Sequence, residues 1–272
     1  MMSYSLTWLA RVLIDAGLKV AEVPGWLTRG VGDVSDLKGV ICHHTAGSRS
    51  GNMPSLKVIT DGRQDLPGPL SQLGLGRDGT FYIIAAGRAN HAGRGEWQGE
   101  TKGNSGFIGI EAENAGLQFG HSNYEPWPDV QMDAYERGVA AILKHLGLKA
   151  IMACGHKEYA LPKGRKPDPQ GMDMDKFRSR VAALIAGNAS PPVSPLIPQK
   201  DDQDRPTLRR DNPNNLKFLV QNVQRKLGIP ADKCNGSFGP MTEAKVRDFQ
   251  RSNGLVPDGI VGPKTWKTLA IR

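Results

Sequence analysis

The segment KGVICHHTAG, residues 38–47, carries the clearest β-strand signal of the chain and contains two adjacent histidines. A short apolar run bounded by glycine and polar residues is typical of a buried strand. The runs TFYIIAA at 80–86 and FIGIEAE at 107–113 have the same character. A fourth strand is predicted at 150–154.

Helical patterns lie beside these strands. Apolar residues recur at three- and four-residue spacing over 131–146, and Gly147 follows as a stop signal. A second amphipathic helix is predicted over residues 6–14. Because strands alternate with helices, we predict an α/β domain with a mixed central sheet flanked by helices.

The composition is that of a globular protein, with 272 residues, 39% hydrophobic and 23% charged. Its three cysteines, Cys42, Cys154 and Cys234, lie too far apart in sequence to staple a small disulfide scaffold. No apolar run reaches the length of about 18 residues that a membrane span needs. Arg11 and Asp15 interrupt the N-terminal apolar run and no basic segment precedes it, so a cleaved signal peptide is not expected.

A proline-rich stretch divides the chain. Residues 188–212 contain many prolines and few large apolar side chains, as in a semi-rigid linker. We therefore predict two domains, residues 1–187 and 213–272. Most of the net charge of +8 falls in residues 203–272, which indicates a polyanionic partner, either nucleic acid or an anionic cell wall.

The second domain contains a weak repeat. NGSFGPMT at 235–242 matches DGIVGPKT at 258–265, and each copy is a turn followed by a proline at a favoured helix start. With an amphipathic segment at 216–227, these copies predict a small three-helix domain. Helix-start chemistry alone would also produce such a repeat.

The richest source of reactive side chains is GHKEYALPKGRKPDP at 155–169, directly after a predicted strand. It offers His156 and Asp168 as metal ligands, with Lys166 between them. His43 or His44 can supply a third ligand, but not both, because successive strand residues face opposite sides. Two imidazoles, one carboxylate and a water ligand make a catalytic zinc site, in which the ion lowers the pKa of that water. Ordinary hydrogen-bonded histidines also fit the spacing.

The segments GVICHHTAG, GRDGTFY, FIGIEAEN and GHKEYALPKGRKPDP occur in the order seen in zinc-dependent N-acetylmuramoyl-L-alanine amidases. Over most of residues 25–180 the chain resembles this family, whose superfamily includes peptidoglycan recognition proteins. Residues 213–272, ending near DGIVGPKTW, resemble a peptidoglycan-binding module. An amidase followed by a wall-binding module is similar to actinobacteriophage endolysins.

The resemblance assigns roles by position. It implies that His43, His156 and Asp168 bind Zn²⁺, that Glu111 is the general base, and that Lys166 stabilises the tetrahedral intermediate. The expected reaction is hydrolysis of the amide between the lactyl group of N-acetylmuramic acid and L-alanine. The bacterial peptidoglycan is the expected partner, and the enzyme is expected to be monomeric.

Further positions follow from the same resemblance. His91 matches a residue that lines the substrate groove, and Ser71 stands where some relatives carry a catalytic tyrosine, so both are expected at the substrate. Glu113 is expected to assist or orient Glu111. In the second domain Asp258, Gly259, Thr265 and Trp266 are candidates for wall binding, although Trp266 also suits a core position.

Two other function classes are weighed against this one. A non-catalytic peptidoglycan recognition protein would lack a zinc ligand, whereas the ligand set and Lys166 are intact here. A nucleic-acid-binding protein would carry interleaved aromatic residues or a known motif in the basic region, and neither is present. The endolysin resemblance implies accumulation in the host cytoplasm until lysis, followed by action on the wall.

Overall fold

The structure is a computed structural model, and it describes residues 4–116, 125–188, 205–210, 212 and 215–270. The chain divides into two compact units, Met1–Val193 and Ser194–Arg272. The strands of the first unit are β1 (Val20–Glu22), β2 (Gly39–His44), β3 (Gly62–Arg63), β4 (Leu66–Pro67), β5 (Leu73–Leu75), β6 (Phe81–Ile83), β7 (Phe107–Ala112) and β8 (Ala153–Gly155). Its helices are α1 (Leu9–Asp15), α2 (Leu56–Asp61), α3 (Gly103–Gly106), α4 (Asp129–His145), α5 (His156–Tyr159) and α6 (Met174–Ile185).

The main sheet has six strands in the order β1-β6-β5-β7-β2-β8. Only the β5–β6 pair is antiparallel, and the other neighbours run parallel. The mixed α/β fold with flanking helices is therefore confirmed. Strands β2, β7 and β8 end at the same edge of the sheet, which is where open α/β sheets place their functional groups.

The two faces of the central strands have different roles. Val40 and Cys42 of β2, with Ile108 and Ile110 of β7, pack in one hydrophobic cluster with buried side chains of α1, α4 and α6. The intervening residues of the same strands project from the opposite face, because side chains alternate along a strand. His43, Gly109 and Glu111 belong to this second face, which we call the site face.

Two strand predictions differ from the structure. The strand expected at 80–86 ends at Ile83, because the amides of Ile84 and Ala85 both donate to the carbonyl of Gln72 and so leave the ladder. The strand expected at 150–154 begins with a 3-10 turn over Ala150–Met152 and becomes extended only in β8. Helices α1 and α4 form where periodicity predicted helices.

All three cysteines are free and buried. Burial raises the pKa of the Cys42 thiol to about 12, so it remains protonated and behaves as a small apolar side chain. Among the described residues, no helix is both long and apolar enough to span a bilayer.

The second unit contains three α-helices among its described residues: α7 (Lys217–Lys226), α8 (Pro240–Ser252) and α9 (Pro263–Leu269). Both α8 and α9 begin with the proline that the repeat predicted. The helices enclose a core around the fully buried Trp266. Residues expected in the linker join this core: Leu208 is buried and pairs with Val261, and the Pro206 carbonyl accepts the indole N–H of Trp266 at 3.0 Å.

The repeat has a structural basis that the sequence did not reveal. Buried Gln224 holds the first turn, and buried Gln250 holds the second in the same way. Each glutamine accepts the backbone N–H of the turn glycine, Gly236 or Gly259, at 2.9 Å through its Oε1. Each Nε2 reaches equivalent acceptors, namely Asn235, Ser237 and Thr242 in the first copy and Asp258, Ile260 and Thr265 in the second. Both turn glycines have positive φ, +75° and +73°.

Replacing either glutamine with methionine should destabilise the second unit to a similar extent. The change preserves side-chain bulk but leaves the glycine amide and several acceptors unpaired, at a cost of about 1–3 kcal/mol. Hydrogen exchange of the α7–α9 amides in Gln224→Met and Gln250→Met measures the loss. Gln221→Met, which removes one bond to the Cys234 carbonyl, is the control and should lose less. Equal losses in all three variants would contradict the role of the two glutamines.

Candidate active site

Three potential metal ligands meet at the carboxyl edge of the sheet. His43 lies on β2, His156 begins α5 directly after β8, and Asp168 lies on the loop that follows. The Nδ1 atoms of the two histidines are 3.0 Å apart, and Asp168 Oδ2 lies 3.0 Å from each of them. Among the described residues these three side chains are the group that can hold a metal ion.

The donor set fits zinc. Tetrahedral zinc bonds of about 2.0–2.1 Å place neighbouring ligand atoms roughly 3.3 Å apart, close to the observed triangle. The outer nitrogen of each histidine is already paired: His43 Nε2 lies 3.1 Å from His91 Nδ1, and His156 Nε2 lies 2.8 Å from the Ala92 carbonyl oxygen. Both Nδ1 atoms are therefore directed to the shared centre, and three protein ligands leave a fourth position open.

The electrostatics of the ligands agree with this role. Burial lowers the pKa of His43 to about 4, which keeps the ring neutral and able to coordinate a cation. Burial alone would raise the pKa of Asp168, but hydrogen bonds to His156 and His43 outweigh it and hold that pKa well below its usual range. The site thus combines two imidazoles with an ionised carboxylate at neutral pH.

Glu111 is placed beside this group by strand register. It pairs with His43 across β7 and β2, so both side chains project from the site face. Its Oε2 atom is buried and has no hydrogen-bond partner among the described residues. Burial, together with the negative charge of Asp168, raises the pKa of Glu111 to about 8. A buried carboxyl with a pKa near neutrality suits proton transfer.

Lys166 lies on the loop between His156 and Asp168 and is half-buried. Its positive charge lowers the pKa of both Glu111 and His43. Its charge therefore acts on the site, in keeping with the position that the sequence gave it.

His44 and Glu113 lie apart from the metal ligands. His44 Nδ1 accepts the backbone N–H of Gln170 at 3.1 Å, which gives this histidine a structural contact. The carboxylate of buried Glu113 accepts from the Thr45 hydroxyl at 2.6 Å and from the backbone N–H of Ser55 at 2.9 Å. Glu113 thus holds the loop after β2. Its negative charge also raises the pKa of Glu111, and the assistance to Glu111 that the sequence suggested stays a prediction.

The two residues expected to contact substrate occupy buried positions. His91 is only 8% exposed and lies behind His43, with its Nε2 3.2 Å from the Phe107 carbonyl oxygen. Ser71 is fully buried, and its hydroxyl has no partner among the described residues. The substrate contacts expected of His91 and Ser71 therefore stay predictions.

Of the four residues expected to bind the wall, Asp258, Gly259 and Thr265 belong to the second repeat turn and Trp266 lies in the core of the unit. Trp266 is fully buried and Thr265 is 5% exposed, so direct wall contact by these two side chains is not supported. Asp258 accepts the Ile260 N–H at 2.9 Å, and Gly259 provides the left-handed turn conformation. Exposed apolar side chains of this unit are Leu216, Phe218 and Met241.

A tyrosine of α4 was missed as part of the site's support. In the sequence, Tyr135 is one of the apolar positions of the helix predicted over 131–146. In the structure it is buried, and its hydroxyl accepts the His43 N–H at 3.0 Å and donates to the Ile110 carbonyl at 2.9 Å. It therefore holds the two central strands where His43 and Glu111 project. The sequence did contain a signal for this role, because a residue with a hydroxyl group stands among the apolar residues of the helix.

An α/β fold with three convergent side chains that can hold a metal ion and an adjacent carboxyl is typical of metal-dependent hydrolases. Two family models that match the chain identify the kind of hydrolase. Residues 33–171 match the family model described as N-acetylmuramoyl-L-alanine amidase, and residues 219–269 match that of a peptidoglycan binding domain. The chain belongs to the N-acetylmuramoyl-L-alanine amidase family and degrades peptidoglycan, which its second domain binds.

Individual relatives are distant. An uncharacterized protein from Kitasatospora aureofaciens, from the bpoA1 3' region, is 38% identical over 86 residues, which cover 31% of this chain and 73% of that protein. The amidase AmiD from E. coli, solved with a muropeptide substrate, is 18% identical and covers 92% of this chain and 95% of its own, with a TM-score of 0.44. The endolysin of the Thermus scotoductus bacteriophage Ph2119 is also 18% identical. The match covers 60% of this chain and 99% of the endolysin, with a TM-score of 0.42.

Proposed function

We propose that this enzyme is a zinc-dependent amidase that cleaves between the lactyl group of N-acetylmuramic acid and L-alanine. His43, His156 and Asp168 would hold the ion. The observation that carries the proposal is the triangle of three ligand atoms, 3.0 Å on each side, next to an unpartnered buried carboxyl. When bound, zinc supplies a Lewis acid that polarises the scissile carbonyl and acidifies water.

The protein's own groups carry the proton transfers. Glu111 accepts a proton from the attacking water through its carboxylate, whose buried Oε2 has no hydrogen-bond partner among the described residues. It then returns this proton to the amine nitrogen of L-alanine as the amide bond breaks. Its raised pKa allows it to serve in turn as base and acid near neutral pH.

Lys166 has an electrostatic role. Its ammonium group stabilises the negative charge that develops on the carbonyl oxygen of the tetrahedral intermediate. The assignment is supported by the effect of this charge, which lowers the pKa of both Glu111 and His43.

Metal analysis together with product analysis tests the proposed function. Purified enzyme should contain about one zinc per chain, as one closed ligand set allows, and should release stem peptides that begin with L-alanine from purified peptidoglycan. A chelator should stop release, and added zinc should restore it. Zinc-loaded enzyme that cuts a different bond would contradict the substrate assignment, whereas full activity after complete zinc removal would contradict the metal assignment.

The second unit is proposed to keep the enzyme on its insoluble substrate, raising the local substrate concentration without adding catalytic contacts. Its basic character suits an anionic wall. The pairing of the two domains supports a role as an endolysin that remains in the host cytoplasm until lysis. Expression inside a susceptible host should therefore leave cells intact until the membrane is permeabilised, and lysis without permeabilisation would contradict this localisation.

A further inference from the structure

One short segment contacts the outer nitrogens of both histidine ligands. The ring of His91 meets His43 Nε2 at 3.1 Å, and the carbonyl of the next residue, Ala92, meets His156 Nε2 at 2.8 Å. These two ligands come from different strands, β2 and the end of β8. The orientation of both rings therefore depends on the position of a single dipeptide.

The contacts of the ring nitrogens determine which atom of each ligand histidine faces the metal position. His156 Nε2 faces the Ala92 carbonyl oxygen, and His43 Nε2 faces His91, whose own Nε2 lies 3.2 Å from the Phe107 carbonyl oxygen. Because both Nε2 atoms are engaged on this side, the Nδ1 atom of each ring is the one directed to the shared centre.

The His91 ring has a prepared place. A side chain on Gly109 of β7 would put its Cβ 2.7 Å from the ring, which only glycine avoids. The ring therefore packs directly against the strand backbone between the positions of Phe107 and Glu111.

The dipeptide is held by Asn104 on α3. Its Oδ1 atom accepts the backbone N–H of His91 at 3.0 Å and that of Ala92 at 2.7 Å. Two backbone donors that converge on one side-chain atom identify that atom as the amide oxygen. Asn104 touches neither a ligand histidine nor the metal position, yet it fixes the backbone that orients both rings.

We infer that Asn104 is a positioning residue that selects Nδ1 coordination at both His43 and His156 by holding the His91–Ala92 dipeptide. This inference rests on the proposed metal function. Partners one layer outside a metal's ligands commonly contribute 10–100-fold to metal affinity. Asn104 does not contact a ligand itself but holds the dipeptide that does, and it thereby acts on both ligand histidines.

Two variants separate this role from simple structural support. Asn104→Leu keeps the side-chain volume and removes the acceptor, whereas Asn104→Asp retains an oxygen that accepts both N–H groups. Zinc affinity, measured by competition with a chelator, should fall about 10–100-fold in the leucine variant and stay within about threefold of wild type in the aspartate variant. Ser35→Ala is the matched control, because it removes a hydrogen bond to the Ser105 carbonyl of the same helix without touching the dipeptide.

The surroundings of the two rings provide a readout that needs no metal and no activity. In ¹⁵N-histidine spectra of the metal-free protein, Asn104→Leu should shift the ring nitrogen resonances of both His43 and His156, whereas Asn104→Asp and Ser35→Ala should leave them in place. Unchanged ring resonances and zinc affinity in Asn104→Leu would overturn the inference, as would equal losses in the leucine and aspartate variants. Failure of the wild type to bind zinc would refute the proposed metal function alone, since the comparison of ring resonances would still test Asn104.

Discussion

Glu111→Gln is expected to remove most turnover while leaving zinc binding intact. Glutamine has nearly the same shape as glutamate but cannot accept and return a proton, and general acid–base groups typically contribute about 10²–10⁴-fold to the rate. Single-turnover release of stem peptides, measured alongside zinc content, separates the loss of chemistry from a loss of metal.

The same substitution should make the metal-free protein more stable. The pKa of Glu111 rises from 4.5 to about 8 on folding, so the unfolded chain loses this proton at lower pH than the folded chain does. The contribution of Glu111 to stability is therefore greatest below pH 4.5 and falls as the pH rises to about 8. Glutamine avoids this loss, and at pH 8 the variant should gain as much as about 4 kcal/mol.

Unfolding of wild type and variant at pH 5 and pH 8, with chelator present, tests whether the stability difference grows with pH as expected. Tryptophan fluorescence reports mainly on the first unit, which holds Trp8, Trp26, Trp97 and Trp127. The advantage of Glu111→Gln should grow between the two pH values. Glu96→Gln, at an exposed glutamate of the same unit, should show little change in turnover or stability. Undiminished turnover in Glu111→Gln would remove Glu111 as the base, and a stability gain that did not grow with pH would contradict its raised pKa.

Asp168→Asn is the second substitution expected to have a large effect. It replaces an ionised carboxylate that lies 3.0 Å from both ligand nitrogens with a neutral amide. Because outer contacts alone contribute about 10–100-fold to metal affinity, loss of a direct ligand should reduce zinc affinity at least about a hundredfold. Turnover at low free zinc should fall in parallel.

The control for this substitution is Asp15→Asn, at an exposed aspartate of α1 that pairs with Arg11. Zinc affinity in this variant should equal that of wild type. Retention of wild-type zinc affinity by Asp168→Asn would show that the true ligand set lies elsewhere. Partial rescue of Asp168→Asn turnover by excess zinc would support the assignment, because it would show weakened binding with otherwise intact chemistry.

The fold was largely predictable where side-chain pattern alone determines structure. The apolar runs of β2 and β7 and the helical spacing of α4 indicated those elements directly. Strand β5 was missed because its sequence, LGL followed by Gly76, is short and rich in glycine, a residue that is depleted in strands. It is extended because it pairs with β6 and β7 on its two sides, a tertiary effect that local propensity does not contain.

The metal ligands were predictable from residue type and resemblance, but their support was not. The supporting side chains form hydrogen bonds to backbone groups of residues elsewhere in the chain. They are Asn104, Tyr135, Gln224 and Gln250. Backbone N–H and C=O groups are the same at every position, so no local pattern shows which of them a buried polar side chain will satisfy. The burial of His91 and Ser71 was also not visible in the sequence, because position along a family motif does not reveal burial.

The division of the sheet into a site face and a helix-covered face determines how this domain can be altered. Neighbouring residues of β2 meet different requirements. The side chain of Cys42 must fit the volume of the core, whereas that of His43 must supply the chemistry of the site. The helix-covered side can be repacked to raise thermal tolerance with little effect on the reaction, provided that total volume is kept. Loss of a single residue within β2 would instead exchange the two faces and place His43 in the apolar core. An engineered lytic enzyme based on this domain should therefore accept many substitutions but no length change in its central strands.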